Sequence, residues 1–195
     1  ITSNMTAQDP MGTNILTITP GSSMEINESG LYIKVSAPEG SVTAVNNVAT
    51  ADNIPGDVRV GFGSEYYLSG TVKTGQSVKV WGTLIVPENS NLVISEGAVV
   101  DTVEGAQINV LGTLTVSGTM NLTTSVVMDV DGSVEISNSN GNAQFNNDGK
   151  VTIDGTMTVS APNTGRPANI LDAGIDFTVN GTLNMNGTFS GTVQD

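Results

Sequence analysis

VTIDGTMTV, residues 151–159, decides how the whole chain is read. Val151, Ile153, Met157 and Val159 are apolar, alternate with polar residues and flank a central Gly155. The phrase recurs as VKVWGTLIV (78–86), INVLGTLTV (108–116), MDVDGSVEI (128–136) and FTVNGTLNM (177–185). The shared pattern is apolar-x-[Val/Ile]-x-Gly-[Thr/Ser]-apolar-x-apolar. Its glycines, Gly82, Gly112, Gly132, Gly155 and Gly181, stand 30, 20, 23 and 26 residues apart. Internal repeats of this length mark solenoids, propellers or arrays.

Three geometries can host the phrase. A hairpin turning at x-Gly suits Asp131-Gly132, Asp154-Gly155 and Asn180-Gly181, which are good type I′ pairs. Cross-strand register rejects it, because Ile153 would face Thr156 and both faces would be mixed. Trp81-Gly82 and Leu111-Gly112 are also poor type I′ pairs. A straight strand keeps the inward phase but has no need of glycine at its most buried point. A strand bent at glycine explains both, since glycine tolerates unusual φ and leaves an inside corner empty.

Stacking the copies gives four inward columns, all apolar. They are Val78/Ile108/Met128/Val151/Phe177, Val80/Val110/Val130/Ile153/Val179, Leu84/Leu114/Val134/Met157/Leu183 and Val86/Val116/Ile136/Val159/Met185. The residue after glycine forms a hydroxyl ladder, Thr83/Thr113/Ser133/Thr156/Thr182. The linkers between phrases are long enough to return the chain for parallel pairing. The expected fold is therefore all-β: a parallel β-helix, or β-solenoid, of about five coils. An antiparallel β-sandwich explains the alternation but not the recurring phase of the glycine.

Composition narrows the function classes. The chain has 195 residues, a net charge of −13 and only six Lys and Arg. These are scattered, so neither phosphate backbones nor an anionic membrane finds a basic surface; no nucleic acid is expected as partner. There is no cysteine and no histidine. That removes thiolate ligands, disulfides and the commonest general base. No apolar run approaches the roughly 20 residues of a membrane span, so no membrane span is expected.

Residues 1–69 lack the phrase and are expected to form an N-terminal β cap or small β region with a flexible arm. Residues 70–195 form the repeat domain. The residue before each glycine faces outward and reads Trp81, Leu111, Asp131, Asp154, Asn180. Its apolar start predicts a cover over the first two coils, supplied by residues 1–69 or by a partner. Candidate interface residues are Ile15, Ile18, Tyr66, Tyr67, Trp81 and Leu111. The arm before Ile15 could add a strand to a neighbouring subunit.

Asp129, Asp131 and Asp154 are expected on one face of adjacent coils, where three carboxylates offer hard oxygen ligands to Ca²⁺. No Lys or Arg at a repeat position joins them, and no other cofactor is expected. The aromatic cluster GFGSEYY (61–67), expected near Trp81, is read first as a buried junction between the N-terminal region and the solenoid, with a glycan surface as the alternative. No set of residues has the make-up of a catalytic site, so the chain is not expected to be an enzyme.

The GTL and GTM repeats, Thr/Asn-rich faces, acidic balance and missing His and Cys resemble secreted bacterial and archaeal β-solenoid surface proteins. These include adhesin passengers, surface-layer components and the subunits of archaeal sheaths and filaments. The resemblance spans about residues 70–195 and implies an extracellular or cell-surface structural role. The leading expectation is a homo-oligomer or polymer, stacked head to tail through strand edges in a layer, sheath or filament. The alternative is a monomeric adhesin or glycan-binding module.

Overall fold

The computed structural model describes residues 65–193, the side chain of Tyr66 excepted, and before them the backbone of seven strands. Strands are numbered in chain order. The seven are β1 (Met5–Ala7), β2 (Ile15–Ile18), β3 (Ser22–Glu28), β4 (Leu31–Ala37), β5 (Val42–Val45), β6 (Val48–Ala51) and β7 (Val58–Val60). From residue 65, sheet A holds β8 (Glu65–Leu68), β11 (Thr83–Val86), β14 (Gln107–Val110), β17 (Val127–Val130), β20 (Lys150–Ile153) and β23 (Asp176–Val179). Sheet C holds β9 (Gly70–Val72), β12 (Asn91–Ile94), β15 (Thr113–Val116), β18 (Ser133–Ile136), β21 (Thr156–Val159) and β24 (Thr182–Met185). Sheet B holds β10 (Ser77–Val80), β13 (Val99–Thr102), β16 (Thr119–Leu122), β19 (Gln144–Asn147), β22 (Ile170–Asp172) and β25 (Thr188–Ser190).

The chain visits the sheets in the order A, C, B and starts again. Each strand pairs in parallel with the strand one circuit later, as Ile108 with Met128 and Leu114 with Val134. Six strands in each of three sheets make six circuits, here called coils 1 to 6. This is the expected all-β solenoid; the strands Glu65–Leu68 and Gly70–Val72 open a circuit ahead of the repeated phrases. Strands alternate buried and exposed residues, and the buried ones fill one interior column running from Leu68 to Phe177. Short strands with one dry face follow from the period-2 pattern, and each coil completes its core only against its neighbours.

Corners come in two designs. Five span four residues: 73–76, 87–90, 95–98, 103–106 and 123–126. In each the fourth residue's N–H returns to the first residue's carbonyl, as in Ala98 to Ser95 at 2.9 Å and Ala106 to Val103 at 3.0 Å. The third residue has positive φ: Gly75, Asn89, Gly97, Gly105 and Ser125. The other design is the abrupt x-Gly step. At Asp131-Gly132 both N–H groups donate to the Val110 carbonyl, at 3.0 and 2.9 Å, and Asp154-Gly155 repeats this on Val130 at 2.9 and 2.8 Å.

The bend lies where the sequence puts it, but its cause differs from the expected one. Gly112, Gly132, Gly155 and Gly181 are not among the positive-φ glycines. A Cβ on Gly132 would overlap the Gly112 carbonyl oxygen, one on Gly155 the Gly132 oxygen, and one on Gly181 the Gly155 oxygen. Those oxygens accept the N–H groups of Ser133, Thr156 and Thr182 at 2.8, 2.9 and 2.9 Å. Glycine is needed because coil lies on coil there without a side chain between them, not because the backbone is twisted.

One copy of the phrase is out of phase. Gly82 turns the chain from sheet B to sheet A, whereas the other four glycines turn it from A to C. Val78 and Val80 therefore pair with Val100 and Thr102, not with Ile108 and Val110, whose neighbours are Leu84 and Val86. Thr83 pairs with Gln107 and leaves the hydroxyl ladder, where Asn91 stands next to Thr113. The 30-residue gap after Gly82 is one 24-residue coil, Thr83 to Gln107, plus the six-residue side from Gln107 to Thr113.

Sheets A and B do not stop at residue 70. β8 pairs in parallel with β6, beyond which β5, β2 and β1 continue sheet A antiparallel. β10 pairs with β7, followed by β4 and β3. Sheet C begins at β9.

Candidate functional site

The three sequence-predicted aspartates do not assemble into a metal site. Asp129 lies on the flat of sheet A between Asn109 and Thr152, whereas Asp131 and Asp154 occupy the A-to-C corner. Asp131 is itself part of the corner, so the common direction that residues i and i+2 share in a straight strand does not carry over to it from Asp129. The Asp154 carboxylate accepts a hydrogen bond from the Asn180 amide at 2.8 Å. Among the described residues no group of three or more carboxylates could hold a metal ion.

The candidate interface residues are also spread out. Trp81 sits half-buried at the B-to-A corner and Leu111 is exposed at the A-to-C corner of coil 3, so they form no common patch. Tyr67 pairs with Ile85 on the outer face of sheet A. Ile85 is only 6% exposed yet stands outside the interior cluster, so that face of coil 2 is covered. Of the expected cover, residues 1–69 or a partner, the side chains of residues 1–64 and of Tyr66 lie outside the described residues. Ile15 and Ile18 belong to β2, which pairs within the chain with β1 and β5.

One polar file runs along a side face, and buried asparagines lie inside the coils. On sheet B the Asn146 side-chain amide donates to Asn121 Oδ1 at 2.8 Å, and the Asn121 side-chain amide donates to Asp101 Oδ1 at 2.7 Å. This file spends its polar groups on itself. Inside the coil, Asn169 is fully buried and saturated. Its amide donates to the carbonyls of Asn138 at 3.2 Å and Ser160 at 2.8 Å, and its oxygen accepts the Ala143 N–H at 3.2 Å. Asn147 closes the next corner the same way, accepting the Gly149 N–H and donating to the Ala173 carbonyl. Sequence reasoning missed these residues: Asn is common throughout the chain, and nothing local marks the buried ones.

The last described coil carries the most distinctive surface. Among the described residues no strand pairs with the outer edges of β23, β24 and β25. Hydrogen-bond direction alternates along every strand. Outward residues such as Ser133, Thr156 and Thr182 donate back to the preceding coil, while inward residues such as Val110, Val130 and Ile153 accept from the following one. In coil 6 the backbone groups left facing outward along the stack are therefore those of Phe177, Val179, Leu183, Met185 and Phe189. Val179, Leu183 and Met185 are only partly buried, and Phe189 is 36% exposed. Strand edges thus coincide with apolar surface, the combination that invites a further strand.

Charge follows the same division. Residues 65–149 carry nine Asp and Glu against two Lys, whereas residues 150–193 carry three Asp against Lys150 and Arg166. The acidic character belongs to the early coils, and the last two are nearly neutral. No family model, no curated protein and no solved structure matches the chain.

Proposed function

We propose that this chain is a self-assembling structural protein of a cell-surface layer, sheath or extracellular filament, whose copies join through strand edges. The observation that carries the reading is the last described coil, on whose strand edges no strand among the described residues pairs and whose apolar side chains are half-exposed. Natural sheets blunt such edges with charge, proline or a covering element. Between Phe177 and Ser190 there is neither a charged residue nor a proline. The near-neutral last coils let copies of an acidic chain approach there with little repulsion.

The architecture suits the role. A parallel stack with hydrogen bonds along its axis is a stiff rod, and pairing at its end extends that ladder from copy to copy. The test is light scattering with electron microscopy over a concentration series at low and moderate salt. Association that rises with concentration is expected, and it should be lost in Met185→Lys, whose charge lies at the open end while its stem still covers the core. Dispersed monomers at every concentration and ionic strength would overturn the reading.

A further inference from the structure

Three Asn-Gly pairs fall among the described residues: Asn140-Gly141, Asn180-Gly181 and Asn186-Gly187. An asparagine before glycine can lose its side-chain amide with water as the sole reagent. The glycine nitrogen, once deprotonated, attacks the asparagine Cγ and closes a succinimide ring, and the side-chain nitrogen leaves as ammonia. Water then opens the ring at either carbonyl, giving aspartate or isoaspartate. The sum is asparagine and water to a carboxyl group and ammonia, with nothing oxidised or reduced. Glycine favours the attack, because no Cβ crowds its nitrogen and its backbone turns freely. A glycine N–H held in a hydrogen bond resists it, because the bond keeps both the proton and the geometry in place.

The fold pins two of the three pairs. At Asn180-Gly181 both N–H groups donate to the Ile153 carbonyl, at 2.9 Å each, and the Asn180 side-chain amide donates to Asp154 at 2.8 Å. Gly141 donates its N–H to the Asn138 carbonyl at 2.9 Å. The Asn140 N–H goes to Asn138 Oδ1 at 2.9 Å, and the Asn140 side-chain amide reaches Glu96 at 3.2 Å. Asn186-Gly187 differs. The Asn186 N–H donates to the Val159 carbonyl at 2.8 Å, but the Gly187 N–H has no hydrogen-bond partner among the described residues. At Gly112, Gly118, Gly132, Gly155 and Gly181 the same N–H returns to the preceding coil. The bond that Gly187 lacks is therefore one to coil 5, and whatever follows coil 6 does not enter. Coil 5 leaves sheet C at Val159 and loops out through residues 160–169. A Cβ on Gly187 would meet the Val159 side chain as well as the Asn169 carbonyl, whereas at the other five glycines it would meet backbone. Asn186 itself is exposed, and its side chain makes no hydrogen bond among the described residues.

We propose that Asn186 is a self-modification site: in the folded chain it converts to aspartate and isoaspartate ahead of Asn140 and Asn180, with the Gly187 nitrogen as nucleophile. The product puts a carboxylate into residues 177–190, a stretch without a charged residue, and the iso form adds a carbon to the backbone of a two-residue corner. The site rests on that corner alone and stands whether or not copies assemble.

The test incubates the full chain below its unfolding transition at mildly alkaline pH, which raises the deprotonated fraction of the glycine nitrogen. A parallel sample in guanidinium gives each site's unfolded rate. Digestion at acid pH and peptide mass spectrometry read the exchange of amide for acid at each asparagine, and fragment ions separate aspartate from isoaspartate. The three sites should react at similar rates in denaturant. In the folded chain Asn186 should lead both others by about tenfold, the factor that one backbone hydrogen bond is worth. Asn140 or Asn180 reacting as fast as Asn186 in the folded chain would overturn the proposal. So would an equal lead of Asn186 in denaturant, because local sequence rather than the fold would then set it. Asn186→Gln should remove the early product and leave the slow ones, and an early product that persists would overturn the assignment.

Discussion

The A-to-C and C-to-B corners follow opposite rules. From coil 3 onward the A-to-C corner is always two residues, Leu111-Gly112, Asp131-Gly132, Asp154-Gly155 and Asn180-Gly181. Over the same coils the C-to-B corner holds two, seven, ten and two residues. One corner is closed by backbone packed on backbone, which admits no side chain. The other uses the same two-residue step at Ser117-Gly118 and Asn186-Gly187, but its two longer corners are closed by side chains, with buried Asn138 and Asn169 tying the loops to the neighbouring coils. The large length variation between repeats is therefore concentrated at the C-to-B edge, while the B-to-A corner varies only between two and four residues over the same coils.

Gly132→Ala would break the first rule most severely. Its Cβ meets carbonyl oxygens of coil 3 that cannot move without parting the ladder. Strain together with lost ladder bonds should cost on the order of 3–5 kcal/mol. That corresponds to roughly 10 °C in thermal midpoint for a chain of this size, read by circular dichroism. A midpoint within a degree or two of the parent would refute the packing argument.

Asn169→Ala attacks the second rule. It leaves the Ala143 N–H and two carbonyls without their partner, at a cost of about 2–3 kcal/mol. Proteolysis of the 160–169 loop should quicken with it, and an unchanged cleavage rate would deny Asn169 its tying role. Ser125→Gly should act the other way. Ser125 holds φ of +65° at the third position of a four-residue corner. Relief of that conformation should stabilise by about 1 kcal/mol, less the added freedom of glycine in the unfolded chain. Denaturant titration distinguishes a gain from a loss. Smallest of all, two residues inserted after exposed Thr164 in the ten-residue corner should cost under about 0.6 kcal/mol. The same insertion after Asp154 should prevent folding of the late coils.

What the sequence made legible was the local device. Apolar alternation around x-Gly-[Thr/Ser] is short-range chemistry, and it is enough to identify a bent, stacked strand and hence the solenoid. Register was harder to read, because the same device serves more than one corner. Trp81-Gly82-Thr83 works between B and A, Ser117-Gly118-Thr119 between C and B, and INVLGTLTV between A and C. The twin tripeptides Glu96-Gly97-Ala98 and Glu104-Gly105-Ala106 signalled the four-residue corners and could have fixed that register. Placing the aspartates on one face treated residues 129 and 131 as lying on one straight strand, although β17 ends at Val130 and Asp131 opens the corner. The continuation of sheets A and B through β6 and β7 was hidden for another reason: those strands carry no copy of the phrase.

Hydrogen exchange of the backbone amides as a function of protein concentration tests the central claim most directly. The amides of Leu183, Met185 and Phe189 should exchange fast in dilute solution and gain protection as concentration rises, while those of Val110, Val130 and Thr156 stay equally protected throughout. Concentration-independent exchange at all three late-end amides would contradict the account, because it would leave the last coil as an ordinary exposed end rather than a joining surface.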